Sequence, residues 1–126
     1  MTLITWVLIL TGVGLNAAAQ LLLKSATRPL AHFTAVSPDI LWRSMSILSG
    51  SPPFWAGMMC YAASVCVWLA ALSKAPVSVA YPMLSLGYVV VAGVSALWLG
   101  ESLNLSKVLG IALICGGVYL VSRSSL

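Results

Sequence analysis

Four long apolar runs make up most of this chain and leave little else to fold. They extend from Leu3 to Leu23, Phe54 to Leu72, Val77 to Leu99, and about Leu105 to Val121. Crossing the hydrocarbon layer takes about 20 residues of helix, so each run is long enough to span a bilayer. In lipid a segment must satisfy its own backbone hydrogen bonds, which leaves helix as the state for each run. A closed barrel would need many short alternating strands, and the sequence has none. The expected fold is therefore an all-α membrane protein, a four-transmembrane-helix bundle in a single domain over residues 1–126.

Composition fixes the solvent. Apolar residues are 61% of the chain and charged residues only 6%, six basic and two acidic. A soluble domain carries about 25% charged residues to solvate its surface. Eight charges cannot do that here, so lipid must be the solvent. The net charge of +4 is scattered singly at the ends of apolar runs, as Lys24, Lys74, Lys107 and Arg123. That is the placement of membrane-flanking side chains that snorkel to the interface, and it argues against nucleic-acid binding. The first run could imitate a signal peptide, with Ala17-Ala18-Ala19 as a cleavage site. No basic side chain precedes it, however, and Leu21-Leu22-Leu23 continues beyond that site, so a retained helix is expected.

The connections are short except for the enlarged loop 25–53. Within it, Ser37-Pro38-Asp39 reads as a helix start, a capping Ser followed by Pro at the first position. Ile40, Leu41, Met45 and Leu48 then recur at helical spacing. Residues 38–48 are expected to form a short amphipathic helix at the membrane surface, with a partly ordered loop as the alternative. Orientation is weighed by flanking charge. Placing Lys24, Arg28, Arg43 and Lys107 inside leaves only Lys74, Arg123 and the terminal amine on the other side, and the positive-inside rule favours that arrangement. The narrow margin is compatible with dual insertion.

Polar residues inside the runs are few, so their spacing carries information. Gly12, Asn16, Gln20 and Lys24 recur every four residues and form one stripe on the first helix. Such groups are costly in lipid unless they face another helix or a wet cavity. They can be interhelical glue or a substrate-lining surface. The second run offers Tyr61, Ser64 and Trp68 on one face. The third offers Ser78, Tyr81 and Ser85, with Pro82 and Gly87 interrupting the helix. An interior Pro frees a backbone carbonyl, and transporters often place broken helices at the midplane. In the fourth run Ala112 and Gly116 sit at small-xxx-small spacing beside Gly110 and Gly117, which makes this the expected dimer contact.

Other chemistry has no visible apparatus. The two carboxylates, Asp39 and Glu101, lie outside the helix centres, and His32 stands alone in a loop. Cys60, Cys66 and Cys115 lie in apolar runs without metal-ligand spacing and read as small packing residues. No metal, cofactor or enzymatic activity is expected.

These features together resemble the small multidrug resistance family of the drug/metabolite transporter superfamily. The residues that carry the resemblance are Leu21-Leu22-Leu23-Lys24, Pro76-Val77-Ser78-Val79-Ala80-Tyr81, Gly100-Glu101-Ser102-Leu103, and Ile111 to Val118. It covers the chain except roughly residues 28–50. Drug exporters of that family carry a glutamate where this chain has Asn16, and usually a Trp where it has Leu84. Both departures argue against proton-coupled drug export, because an Asn neither releases a proton nor neutralises a cation. Ala80-Tyr81-Pro82-Met83-Leu84-Ser85-Leu86 looks instead like the undecaprenyl-phosphate-aminoarabinose flippase subunits. That resemblance implies movement of a lipid-linked sugar across the bacterial inner (cytoplasmic) membrane for lipopolysaccharide modification.

The resulting expectation is a flippase for an amphiphilic, polyprenyl-phosphate-linked substrate. Its groove would be lined by Asn16, Gln20, Lys24, Tyr61, Tyr81 and Ser85, with Lys24 attracting phosphate. Four helices enclose little volume, so a homodimer, or a heterodimer with a similar small membrane protein, is expected. Export of small cations or polyamines, and a non-transporting scaffold subunit, remain the alternatives.

Overall fold

The computed structural model of the chain describes residues 2–33 and 36–124. Every regular element among them is helical. Helix α1 spans Leu3–Thr27 and is followed by a 3-10 turn, Arg28–His32. Helix α2 is Pro38–Ser49, α3 is Pro52–Leu72, α4 is Val77–Met83, α5 is Ser85–Trp98 and α6 is Leu105–Ser124. With α4 and α5 taken as one span, four helices are long and apolar enough to cross a membrane. The chain is a multi-pass membrane protein.

Local chemistry explains where the helices start and stop. Thr2 accepts from the Thr5 amide and caps α1. At the other end α1 continues past Lys24 for nearly a turn, where Thr27 Oγ1 donates to the Lys24 carbonyl at 2.8 Å. The amphipathic helix expected in the first loop is present as α2. Ser37 Oγ accepts from the Ile40 amide, Pro38 holds the first helical position, and Leu41, Trp42 and Met45 are exposed. Trp55 Nε1 donates to the Ser49 carbonyl at 2.8 Å, tying α2 to the start of α3.

The third span is broken, as its proline predicts. Pro82 has no amide to give the Ser78 carbonyl. The Leu84 amide bonds the Tyr81 carbonyl and the Gly87 amide bonds the Leu84 carbonyl, a tighter pattern that separates α4 from α5.

The bundle is knit around α1. Its most extensive contact is with α3, which runs antiparallel to it. Thr5, Gly12, Ala19 and Ala26, spaced by seven residues, are all buried. Small residues at that spacing let helix backbones approach closely, which replaces the hydrophobic drive that lipid removes. Gly57 of α3 is the tightest point: a side-chain carbon there would lie 3.2 Å from the Ala19 carbonyl oxygen and 3.0 Å from Leu23. Gly87 of α5 is in ordinary contact with Val13: a side-chain carbon there would lie 3.5 Å from the Val13 side chain.

The apolar core lies at one end of the bundle. Ile9 and Val13 of α1 meet Ala71 of α3, Ala75 of the connection that follows it, Ala80 and Met83 of α4, and Val118 of α6. The short connection 73–76 closes that end. Toward the other end, where α1 and α5 finish, the helices part and leave clefts between them. The fourth span is held loosely. Helix α6 touches α4 and α5 chiefly through Val118 and Ile114, and 105–109 are exposed.

Candidate functional site

A cavity with a partly polar lining opens beside the middle of α1. Its volume is about 180 Å³, and it is lined by Gly12, Asn16, Tyr61, Ser64, Val65, Trp68, Tyr81 and Leu84. Helices α1 and α3 supply the floor, because Gly12 lets Trp68 approach to within 3.5 Å of where a side-chain carbon would stand. Tyr61 and Tyr81 are 42% and 63% exposed, so the cavity opens sideways, out of the bundle. Ser64 Oγ donates to the Tyr61 carbonyl at 2.7 Å, which occupies its proton and leaves Asn16 as the amide facing the space.

A second cavity of about 280 Å³ shares Asn16 and Leu84 with the first. Ala17, Gln20, Gly87, Tyr88 and Val91 complete it. Further along the same α1–α5 seam lies an apolar cleft of about 200 Å³, between Leu21, Leu22 and Ser25 on one side and Val94, Trp98 and Leu99 on the other. Small-molecule pockets typically enclose about 300–1,000 Å³. Each cavity here falls below that range, so this chain presents parts of a groove, not a closed chamber.

The seam ends at charges. Lys24 Nζ lies 3.8 Å from Glu101 Oε1, the one ion pair among the described residues, with side chains 57% and 48% exposed. Exposed pairs of this kind contribute about 0.2–1 kcal/mol, and at this separation and exposure the lower part of that range applies. The pair is easily opened.

The cavities gather only some of the residues expected to line a groove. Asn16, Tyr61 and Tyr81 meet in the first cavity, and Gln20 joins Asn16 in the second. Lys24 stands outside both, at the mouth of the seam with Glu101. Ser85 lies at the α4–α5 junction and lines neither cavity. Gly110, Gly116 and Gly117 have nothing within 4 Å of the space a side-chain carbon would fill, and Ala112 is exposed, so the chain itself leaves that surface uncovered. Sequence reasoning did not place Leu84 or Tyr88 among the lining residues; Leu84 carried a signal, as the position where the resemblance expects a Trp, and Tyr88 carried none. Among the described residues no cluster of His, Cys, Asp or Glu could hold a metal.

A small helical bundle with polar side chains in a laterally open, membrane-embedded groove has the architecture of a carrier for amphiphilic cargo. The chain belongs to the EamA-like transporter family, whose profile matches residues 1–123. It is 35% identical over 114 residues to a probable 4-amino-4-deoxy-L-arabinose-phosphoundecaprenol flippase subunit ArnF from Sodalis glossinidius, covering 89% of this chain and 85% of that one. The ArnF protein of Erwinia tasmaniensis is 40% identical, with 89% of each chain covered. A probable ArnE subunit of the same flippase from Escherichia fergusonii is 31% identical over 94% of this chain and 97% of its own. No solved structure matches the chain.

Proposed function

We propose that this chain is a subunit of a bacterial inner-membrane flippase that moves a polyprenyl-phosphate-linked amino sugar between leaflets. Within the EamA-like family, its four spans and its motifs fit the small multidrug resistance type, turned from soluble cations to a lipid. One observation carries the reading: the groove sets the polar groups of Asn16 and Gln20 into a mainly apolar lining at mid-span, and it is open at the side. A headgroup needs a polar lining to cross hydrocarbon, whereas its tail can stay in lipid if the groove is open. Cationic export lacks support, because no carboxylate lines either polar cavity. The test is reconstitution. Proteoliposomes holding the chain, alone and with a similar small subunit, should flip a fluorescent undecaprenyl-phosphate amino-sugar lipid. No flipping in any combination would overturn the reading.

Asn16 and its neighbours would bind the sugar by hydrogen bonds. A neutral hydrogen bond contributes about 0.5–1.5 kcal/mol, so Asn16→Ala should slow flipping by roughly two- to tenfold. Transport should be accompanied by no proton release from this position. Substrate-induced release that disappears in Asn16→Ala would contradict it.

The cavity volumes support a second subunit that completes the groove, as in transporters that bind substrate between two related halves. Its contact would be the uncovered face of α6. Leu at both Ala112 and Gly116 should sharply lower the yield of cross-linked dimer. An unchanged yield would place the interface elsewhere.

A further inference from the structure

Lys24 and Glu101 stand on opposite sides of the α1–α5 seam, at the end where the two helices part. Glu101 is held in place by its backbone. Gly100 turns the chain at φ 70°, a conformation that L side chains rarely adopt, and the Glu101 amide then bonds the carbonyl of buried Ser95 at 3.1 Å. The nearby Lys107 does not compete for the carboxylate in this arrangement, since its Nζ donates to the Ser102 carbonyl at 2.9 Å.

This placement is poor as a stabilising device. A carboxylate just past the C-terminus of α5 faces the negative end of the helix dipole. Its partner is half-exposed and 3.8 Å away. What the arrangement does provide is one cation and one anion, side by side, at the mouth of a groove.

We propose that the pair reads both charges of a zwitterionic headgroup, a phosphodiester taking Lys24 while an ammonium on the same headgroup takes Glu101. This rests on the lipid-linked amino-sugar reading and adds a specificity residue to it. A headgroup with both charges replaces one ion pair by two. A headgroup with phosphate alone takes Lys24 and leaves Glu101 unpaired beside a second anion. Glu101 therefore selects for the amine. The apolar cleft of Leu21, Leu22, Ser25, Val94, Trp98 and Leu99 lies alongside the pair, and Gln20 of the next cavity is one turn back along α1.

The test is equilibrium binding by the full chain in nanodiscs. The two probes are undecaprenyl phosphate carrying 4-amino-4-deoxy-arabinose and the same lipid with its amine acetylated. The parent should prefer the free amine by roughly two- to fivefold, the scale of one exposed ion pair, and the preference should shrink as salt is raised. Glu101→Gln should bring the ratio close to one, and Glu101→Asp should keep most of it. Lys24→Gln should weaken both lipids by a similar factor. A preference that survives Glu101→Gln, or a parent that binds both lipids equally, overturns the proposal and leaves the flippase reading standing. A parent that binds neither lipid overturns both. The salt dependence of the parent needs no variant, so a misfolded mutant cannot shield the proposal.

Discussion

Lys24→Gln is expected to reduce lipid flipping by roughly tenfold or more while the protein inserts and folds normally. Hydrogen bonds to charged groups contribute about 1.5–3 kcal/mol, and each 1.4 kcal/mol is a factor of ten. The glutamine keeps length and polarity but cannot pair with a phosphate. Insertion should not suffer, because the lysine is more than half exposed and its ionic partner among the described residues is the weakly held Glu101. Lys24→Arg should restore part of the activity, since the charge returns with a different shape. A plain interfacial anchor would behave otherwise: both variants would transport at the parental rate. Initial flipping rates in proteoliposomes, normalised to inserted protein, separate these outcomes. A parental rate in Lys24→Gln would remove the phosphate site from the end of α1.

Gly57→Val should be the most damaging single change to the fold. The space at Gly57 is bounded by the Ala19 carbonyl oxygen and the Leu23 side chain, at 3.2 and 3.0 Å from a would-be β-carbon. Leu23 can move by rotating, but a backbone carbonyl moves only with its helix. Even Ala would press α3 away from α1, and Val adds two methyl groups at the same point. Overpacking typically costs about 1–3 kcal/mol, and this site belongs in the upper part of that range. Gly14→Ala is the matched control, because nothing lies within 4 Å of its β-position. Thermal denaturation in mild detergent should show a clear drop for Gly57→Val and almost none for Gly14→Ala. Equal melting temperatures would mean that α1 and α3 are not packed as closely as described.

The parts of this molecule legible in sequence are those with a local cause. Each span had to close its own hydrogen bonds in lipid, so the four apolar runs announced four helices. Ser37-Pro38 announced α2, and Pro82 announced the break between α4 and α5. Asn16 and Gln20 were visible because polar residues are rare in an apolar run and these recur at helical spacing. Ser85 shows where such reasoning fails. Spacing by four puts it on the face of Tyr81 only if the helix is continuous, and the break at Leu84 removes that premise. Tyr88 could not be distinguished from its apolar neighbours, and Leu84 stood out only by the resemblance, not by its own chemistry. The Lys24–Glu101 pair joins residues far apart in the chain, each with an ordinary explanation as a span-flanking charge. Only the three-dimensional arrangement puts them together.

The loose seating of α6 bears on how the protein reaches its mature state in the cell. Hydropathy alone is enough to drive this fourth span into the bilayer, yet its sparse packing against α4 and α5 gives it little reason to settle there. Crossing the membrane and taking a final position are then separate events, with the second governed by whatever helix arrives alongside. An unpaired copy would present a mobile stave, the kind of feature that membrane proteases recognise. If the proposed second subunit covers α6, cellular abundance of this chain should follow the supply of that subunit more closely than its own rate of synthesis.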